Sequence, residues 1–150
     1  MRRFVIGLGF VLLVFGGFSY WRATHPILSP EQQIILQLDD VSSALQNRSA
    51  NRVLGHLSSD FKWNNSGRKE IGDLLRGSML GFRDVQLQRS GETIHVNGDS
   101  ATSSGSFRLN YRTSQGGEAQ AHEGDYTLQW RKIDGNWKIT AVKGGESLGG

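Results

Sequence analysis

The feature that most constrains this chain is a change of apolar period near Gly81. Upstream of it, apolar residues recur at helical spacing. Downstream they alternate with polar residues, which is the period of a half-buried strand. Val85 and Leu87 alternate with Gln86 and Gln88, and Ile94 and Val96 form the next apolar pair. Between them the apolar face moves from odd to even positions. A strand cannot change faces without an extra residue, so a β-bulge or turn is expected at Ser90–Gly91. Asn97-Gly98-Asp99 predicts a hairpin turn. Ala101, Phe107, Leu109 and Tyr111 then share one face, and Ser114–Gly117 is a further turn. Tyr126, Leu128 and Trp130 share a face, Asp134-Gly135 turns the chain, and Trp137, Ile139 and Ala141 close the pattern.

The upstream part reads as helices. Ser29-Pro30-Glu31-Gln32 combines an N-cap Ser, a Pro at the first helical position and a Gln three residues after the cap. Ile34, Leu38, Val41 and Leu45 form the apolar stripe of a helix expected to end near Arg48. Ser49 starts a second helix carrying Val53, Leu54 and Leu57. A short strand is expected over Phe61–Asn64, in the stretch SDFKWNN. A third helix is expected over Gly67–Met79, with Ile71, Leu74 and Leu75 on one side. Three helices followed by long strands joined at tight turns specify an α+β fold, a curved antiparallel sheet packed on three helices and shaped as a cone. The expected domain spans 29–143, after a linker over 23–28 and before a flexible tail over 144–150.

Phe4 to Trp21 is an uncharged run of roughly 18 residues, near the ~20 that span a bilayer as a helix. Arg2 and Arg3 precede it, and Tyr20 and Trp21 suit the outer interface. A signal anchor over 1–22 is expected, with the N-terminus inside and the domain outside the cytoplasmic membrane. A signal peptide cleaved after Ser19 is the alternative. Of the 17 basic residues, Arg2, Arg3 and Arg22 flank this run, and the 14 that remain balance the 14 Asp and Glu. That balance excludes a nucleic-acid partner. The chain has no cysteine, which excludes disulfides, thiolate chemistry and a lipid-modified N-terminal cysteine.

Four stretches carry a family resemblance: the helical pair ending in HLSSDFKW, the helix GRKEIGDLLRG, the strand and turn VNGDSATSSGSFRL, and the closing hairpin YTLQWRKIDGNWKITAV. Together they resemble the nuclear-transport-factor-2-like superfamily, with its SnoaL-like polyketide cyclases and ketosteroid isomerases, over roughly Glu31 to Val142. The resemblance implies a bent antiparallel sheet wrapped on a long helix, often dimeric through the sheet face. Its members include enzymes and assembly modules, so fold alone does not assign a function. Isomerase-like members carry a general-base Asp on the first strand. Here that slot falls at about Asn64 or Asn65, and an amide cannot accept the proton. They also use a Tyr on the first helix, and Glu31–Arg48 contains none.

Asp60 and His122 are the remaining candidates for acid–base work. Trp63, Tyr111, His122, Tyr126 and Trp130 are the expected lining of a ligand pocket, since large rings with polar tips suit a half-wet site. Phe107 and Trp137 are assigned to the core, and His95 and His56 to the surface. The four His show no paired spacing, so no metal is expected, and no Gly-rich phosphate loop or other cofactor motif is present. The reading is a membrane-anchored module, non-enzymatic, that binds a small apolar ligand or assembles through its sheet. A SnoaL-like lyase, isomerase or hydrolase is the alternative.

Overall fold

The computed structural model describes residues 27–113 and 116–144. The elements run α1 (Pro30–Gln46), α2 (Ala50–Gly55), β1 (Leu57–Trp63), β2 (Ser66–Gly67), α3 (Arg68–Gly81), β3 (Arg83–Asn97), β4 (Ser100–Arg112), β5 (Gln120–Ile133) and β6 (Asn136–Gly144). They form an α+β fold with one six-stranded sheet in the order β2-β1-β6-β5-β4-β3.

Local chemistry starts each helix. The Gln32 N–H donates to Ser29 Oγ at 3.2 Å and the Ser29 N–H donates to Gln32 Oε1 at 3.0 Å, a complete capping box at the head of α1. Arg48, at φ 54, ends the α1 region in a left-handed residue. At α3 the cap residue is Gly67, whose N–H donates to Glu70 Oε2 at 3.0 Å. That helix extends to Gly81, beyond the expected Met79.

The sheet is bent by extra residues. Ser90 pairs with Ser106 and Thr93 with Ser104, so β3 spends three steps against two on β4, and Gly91 sits at φ +65. This is the expected face switch. A second shift lies between Arg83 and Gln86, beside Asp84 at φ 51. A third lies in β6, where Trp130 pairs with Ile139 but Gln129 pairs with Ala141. Thr140 is the added residue there, so Val142 and not Ala141 takes the inward place opposite Leu128. Asp134 and Gly135 both have positive φ, the geometry of a two-residue hairpin turn between Ile133 and Asn136.

Two expectations about β1 are corrected. It begins at Leu57 rather than Phe61, and Asn64 lies in the turn that follows it. It also pairs with β6 in parallel, so the sheet is mixed rather than antiparallel. Alternation of apolar residues encodes which face is buried but not the direction of the neighbouring strand. The anchor 1–22, including Phe4 and Trp21, the linker residues 23–26 and the tail 145–150 lie outside the described residues. Among the described residues no helix is long and apolar enough to cross a membrane.

The core fills one end of the sheet. Trp130 and Trp137 are each 2 % exposed and pack with Ala101, Ile139, Ile34 and Leu38. Trp130 Nε1 donates to Ser103 Oγ at 2.8 Å, and Ser103 is fully buried. The indole N–H has no route to water, so losing its acceptor costs the desolvation of a polar group. Ser103→Ala is expected to destabilise the domain by about 1–3 kcal/mol in chemical denaturation. A change near zero would show that the indole finds another acceptor.

Candidate functional site

Three walls enclose a cavity of about 660 Å3 at the other end of the sheet. The α1 wall contributes Leu38, Val41, Ser42 and Leu45. The α3 wall contributes Ile71, Leu74, Leu75, Ser78 and Met79, followed by Phe82. The concave sheet contributes Val85, Leu87 and Arg89 from β3, Phe107, Leu109 and Tyr111 from β4, and His122, Tyr126 and Leu128 from β5. Trp63, Asn64 and Ser66 close the side at the β1–β2 turn. The lining is mostly aliphatic and aromatic, and the volume falls within the roughly 300–1,000 Å3 of small-molecule sites.

The strand register explains these neighbours. Leu87, Leu109 and His122 form one inward row, and Arg89, Phe107 and Gly124 the next. Gly105 pairs with Tyr126 in the row after that. A Cβ on Gly105 would lie 2.9 Å from Tyr126 Oη and 3.0 Å from the Ser90 carbonyl oxygen. The bare glycine therefore lets the Tyr126 ring lie across β4 toward β3. There Tyr126 Oη donates to Glu92 Oε1 at 3.2 Å. Arg89 Nη2 donates to Asp39 Oδ1, and Arg89 Nη1 lies 3.0 Å from Glu92 Oε1. That second contact is Coulombic, because Nη1 is buried without a properly directed acceptor.

A second polar group sits on the adjoining wall. Tyr111 Oη donates to Gln120 Oε1 at 3.1 Å and lies 3.0 Å from His122 Nε2. The hydroxyl has one proton, so with it given to Gln120 it accepts from a His122 Nε2–H. His122 Nδ1 then carries the free lone pair. The rings are stacked, Tyr111 on His122 at 5.7 Å between centroids and 14° between planes, with Phe82 4.5 Å from Tyr111. Trp63 lines the cavity but offers surface rather than a donor, since its Nε1 is sealed from solvent and has no partner among the described residues.

The structure brings four of the expected pocket residues together: Trp63, Tyr111, His122 and Tyr126. Trp130, expected with them, lies in the core and does not line the cavity. It shares their face, but the helices cover the sheet at its end. Phe107, assigned to the core, lines the cavity instead, because its partner across the strand is Gly124. Asp60 lies outside the cavity and is paired with Arg131, whose Nη2 is 3.0 Å from both carboxylate oxygens. The neighbouring Ser58 hydroxyl, which stops short of full hydrogen-bonding geometry, and then Arg131 hold Asp60 below the ordinary carboxylate range. Asp60 and His122 therefore do not form a catalytic pair. Asn64 lines the cavity and Asn65 does not. The first helix presents only the Ser42 hydroxyl as a polar group, and it donates to the Leu38 carbonyl at 2.9 Å.

His95 is exposed, while His56 is not the surface residue expected. Its ring is wedged between α1 and α2, with Nε2 2.6 Å from Asp40 Oδ2 and Nδ1 on Gln37 Oε1. His56 and then Arg52 hold Asp40 below the ordinary carboxylate range. Arg89, Glu92, Phe82 and Met79 are the site residues that sequence reasoning missed. Arg89 shares the odd positions of Val85 and Leu87, and Glu92 the even positions of Ile94 and Val96, so strand parity already pointed both inward.

Residues 50–143 match the SnoaL-like domain, and the chain belongs to that family. Solved structures share the fold. A nuclear-transport-factor-2-like superfamily protein from Salmonella enterica is 18% identical, with 76% of this chain and 88% of that one covered, at a TM-score of 0.67. A scytalone dehydratase candidate from Novosphingobium aromaticivorans is 20% identical, with 76% and 81% covered, at 0.70. A candidate association domain of calcium/calmodulin-dependent protein kinase II from Xanthomonas campestris is 18% identical, with 79% and 89% covered, at 0.66. No curated protein sequence matches the chain.

Burial, and then the charge of Glu92 and its hydrogen bond, push the Tyr126 hydroxyl up to about 12. The folded value lies above the unfolded one near ~10. The folded state therefore holds this proton more tightly, and the stability this contributes is complete below about pH 10 and lost as pH rises toward 12. Tyrosinate absorbance at 295 nm is expected to show one late ionisation that disappears in Tyr126→Phe. Ionisation of Tyr126 near pH 10 in the folded protein would contradict the burial described.

Proposed function

We propose that this domain binds a small, mainly apolar molecule in the cavity and does so without chemical turnover. One observation carries the reading: a cavity of about 660 Å3 whose walls are mostly apolar. Proton abstraction needs a base held by a partner that stabilises its protonated form. His122 has Tyr111 beside it but no carboxylate on its ring among the described contacts. The resemblance puts the isomerase-like acid at about Asn64 or Asn65, both amides, and α1 offers no Tyr.

Nile red, a neutral apolar dye, tests the reading. Full-length protein is expected to bind it in a saturable, one-to-one manner with brightened emission. Leu109→Trp, which fills the cavity from β4, is expected to weaken binding by about tenfold or more while the fold is kept. Equal binding by both proteins would place the dye elsewhere and remove the support for the cavity.

The second reading is an elimination or isomerisation with His122 as base. It draws on the free Nδ1 lone pair and on the likeness to the scytalone dehydratase candidate. In that case His122→Gln leaves dye binding intact and abolishes turnover of a substrate.

We also propose that Phe4–Trp21 anchors the domain outside the cytoplasmic membrane, on the strength of its uncharged run behind Arg2 and Arg3. The chain is then expected to stay with membranes washed in alkaline carbonate, and recovery in the supernatant would count against the anchor.

A further inference from the structure

We propose that the cavity selects neutral ligands and rejects anionic ones, because Asp39 and Glu92 together over-neutralise Arg89. The inference rests on the cavity being a ligand site. Arg89 is the only Arg or Lys in the lining among the described residues. An arginine in an apolar cavity ordinarily invites a carboxylate or phosphate, since its planar fork matches such groups. Here one arm of the fork is hydrogen-bonded and the other is closed to solvent. Nη2 is given to Asp39 on α1, and Nη1 faces Glu92 across the β3 bulge.

One cation between two carboxylates leaves a local surplus of one negative charge. Arg89 and Glu92 side chains are only 15% and 21% exposed while Asp39 is 58% exposed, so water screens Asp39 but leaves the Glu92 charge poorly screened. Tyr126 spends its proton on the same Glu92 oxygen and so has none to give an entering anion. The elevated ionisation of Tyr126, due in part to Glu92, reports the same negative field. An anion entering the cavity would lose its hydration, find Arg89 Nη2 held by Asp39 and Nη1 sealed beside Glu92, and meet a like charge. A neutral hydroxyl, carbonyl or amide needs no counter-ion. It can use Asn64, Ser66 and Ser78, or the His122 ring, all in the lining. The ligand class is therefore a neutral, largely apolar molecule with one such group.

The bulge builds this selection. Were the same residues paired without the bulge, Glu92 would oppose Ser104 and fall on the opposite face from Arg89.

The test uses a matched pair that differs only in charge, naphthalene-2-carboxamide and naphthalene-2-carboxylate, each displacing Nile red from the full-length protein at pH 7. The amide is expected to displace the dye, and the carboxylate to be weaker by about tenfold or more. In Asp39→Asn/Glu92→Gln the freed Arg89 is expected to reverse the order. The single variant Glu92→Gln, with dye binding retained as proof of folding, is expected to narrow the gap. Equal or tighter binding of the carboxylate by the unmodified protein overturns the selection and leaves the binding site standing. If neither compound displaces a bound dye, or the dye does not bind, the site itself falls and the selection with it. A preference unchanged in both variants also overturns the proposal, since the two carboxylates would then not be its cause.

Discussion

The structure depends on one constraint in β3, the extra residue between Ser90 and Thr93 that Gly91 absorbs at φ +65. A strand of 15 residues with a strict two-residue period would present one face from end to end. The bulge breaks that phase and bends the β3–β4 pair. Beyond it Ile94 and Val96 pack against the core with Trp130 and Trp137. Before it Val85, Leu87 and Arg89 overhang a space that α1 and α3 do not fill. Filled core and open cavity are thus two halves of one curved face, and the bulge divides them. The second bulge, at Thr140 in β6, lets Val142 stay inward while the partner strand continues unbroken.

The division explains the polar chemistry of the site. Where the helices withdraw, the larger polar side chains of the concave face have partners that fix them. Tyr111 holds His122 and is itself held by Gln120. Arg89 is gripped from α1 by Asp39 and from its own strand by Glu92. Such fixed groups lose little entropy when a ligand arrives, the usual advantage of a preorganised site.

Much of the fold was legible in the residues themselves. The capping box of Ser29 and Gln32, the face switch at Ser90–Gly91 and the turn at Asp134-Gly135 are local events, and local chemistry decides them. The parallel partnership of β1 with β6 was not legible, because it joins segments about 80 residues apart and no local pattern records it. The same limit applied to the site. Trp63, Tyr111, His122 and Tyr126 were found from ring chemistry and parity. Trp130 was misplaced because parity gives the face of a sheet but not which stretch of that face a helix covers. Phe107 was misplaced because its exposure depends on Gly124, a residue on another strand. Arg89 and Glu92 obey parity, but a charged side chain turns inward only with a partner, and Asp39, which holds Arg89, lies on another element.

The strand order also bears on synthesis. The last strand, Asn136–Gly144, lies inside the sheet, between β1 on one side and β5 on the other. Until it leaves the ribosome, β1 and β2 have no bond to the β3–β5 meander, and the Ile139 N–H that bonds the His56 carbonyl at 2.8 Å is missing. Trp137 and Ile139 arrive with that strand as well, so the core closes last. A nascent chain ending before it exposes two further strand edges, on β1 and β5, the kind of surface that recruits other chains. Cooperative folding of this domain therefore waits for β6, and losing that strand removes the joint rather than a margin.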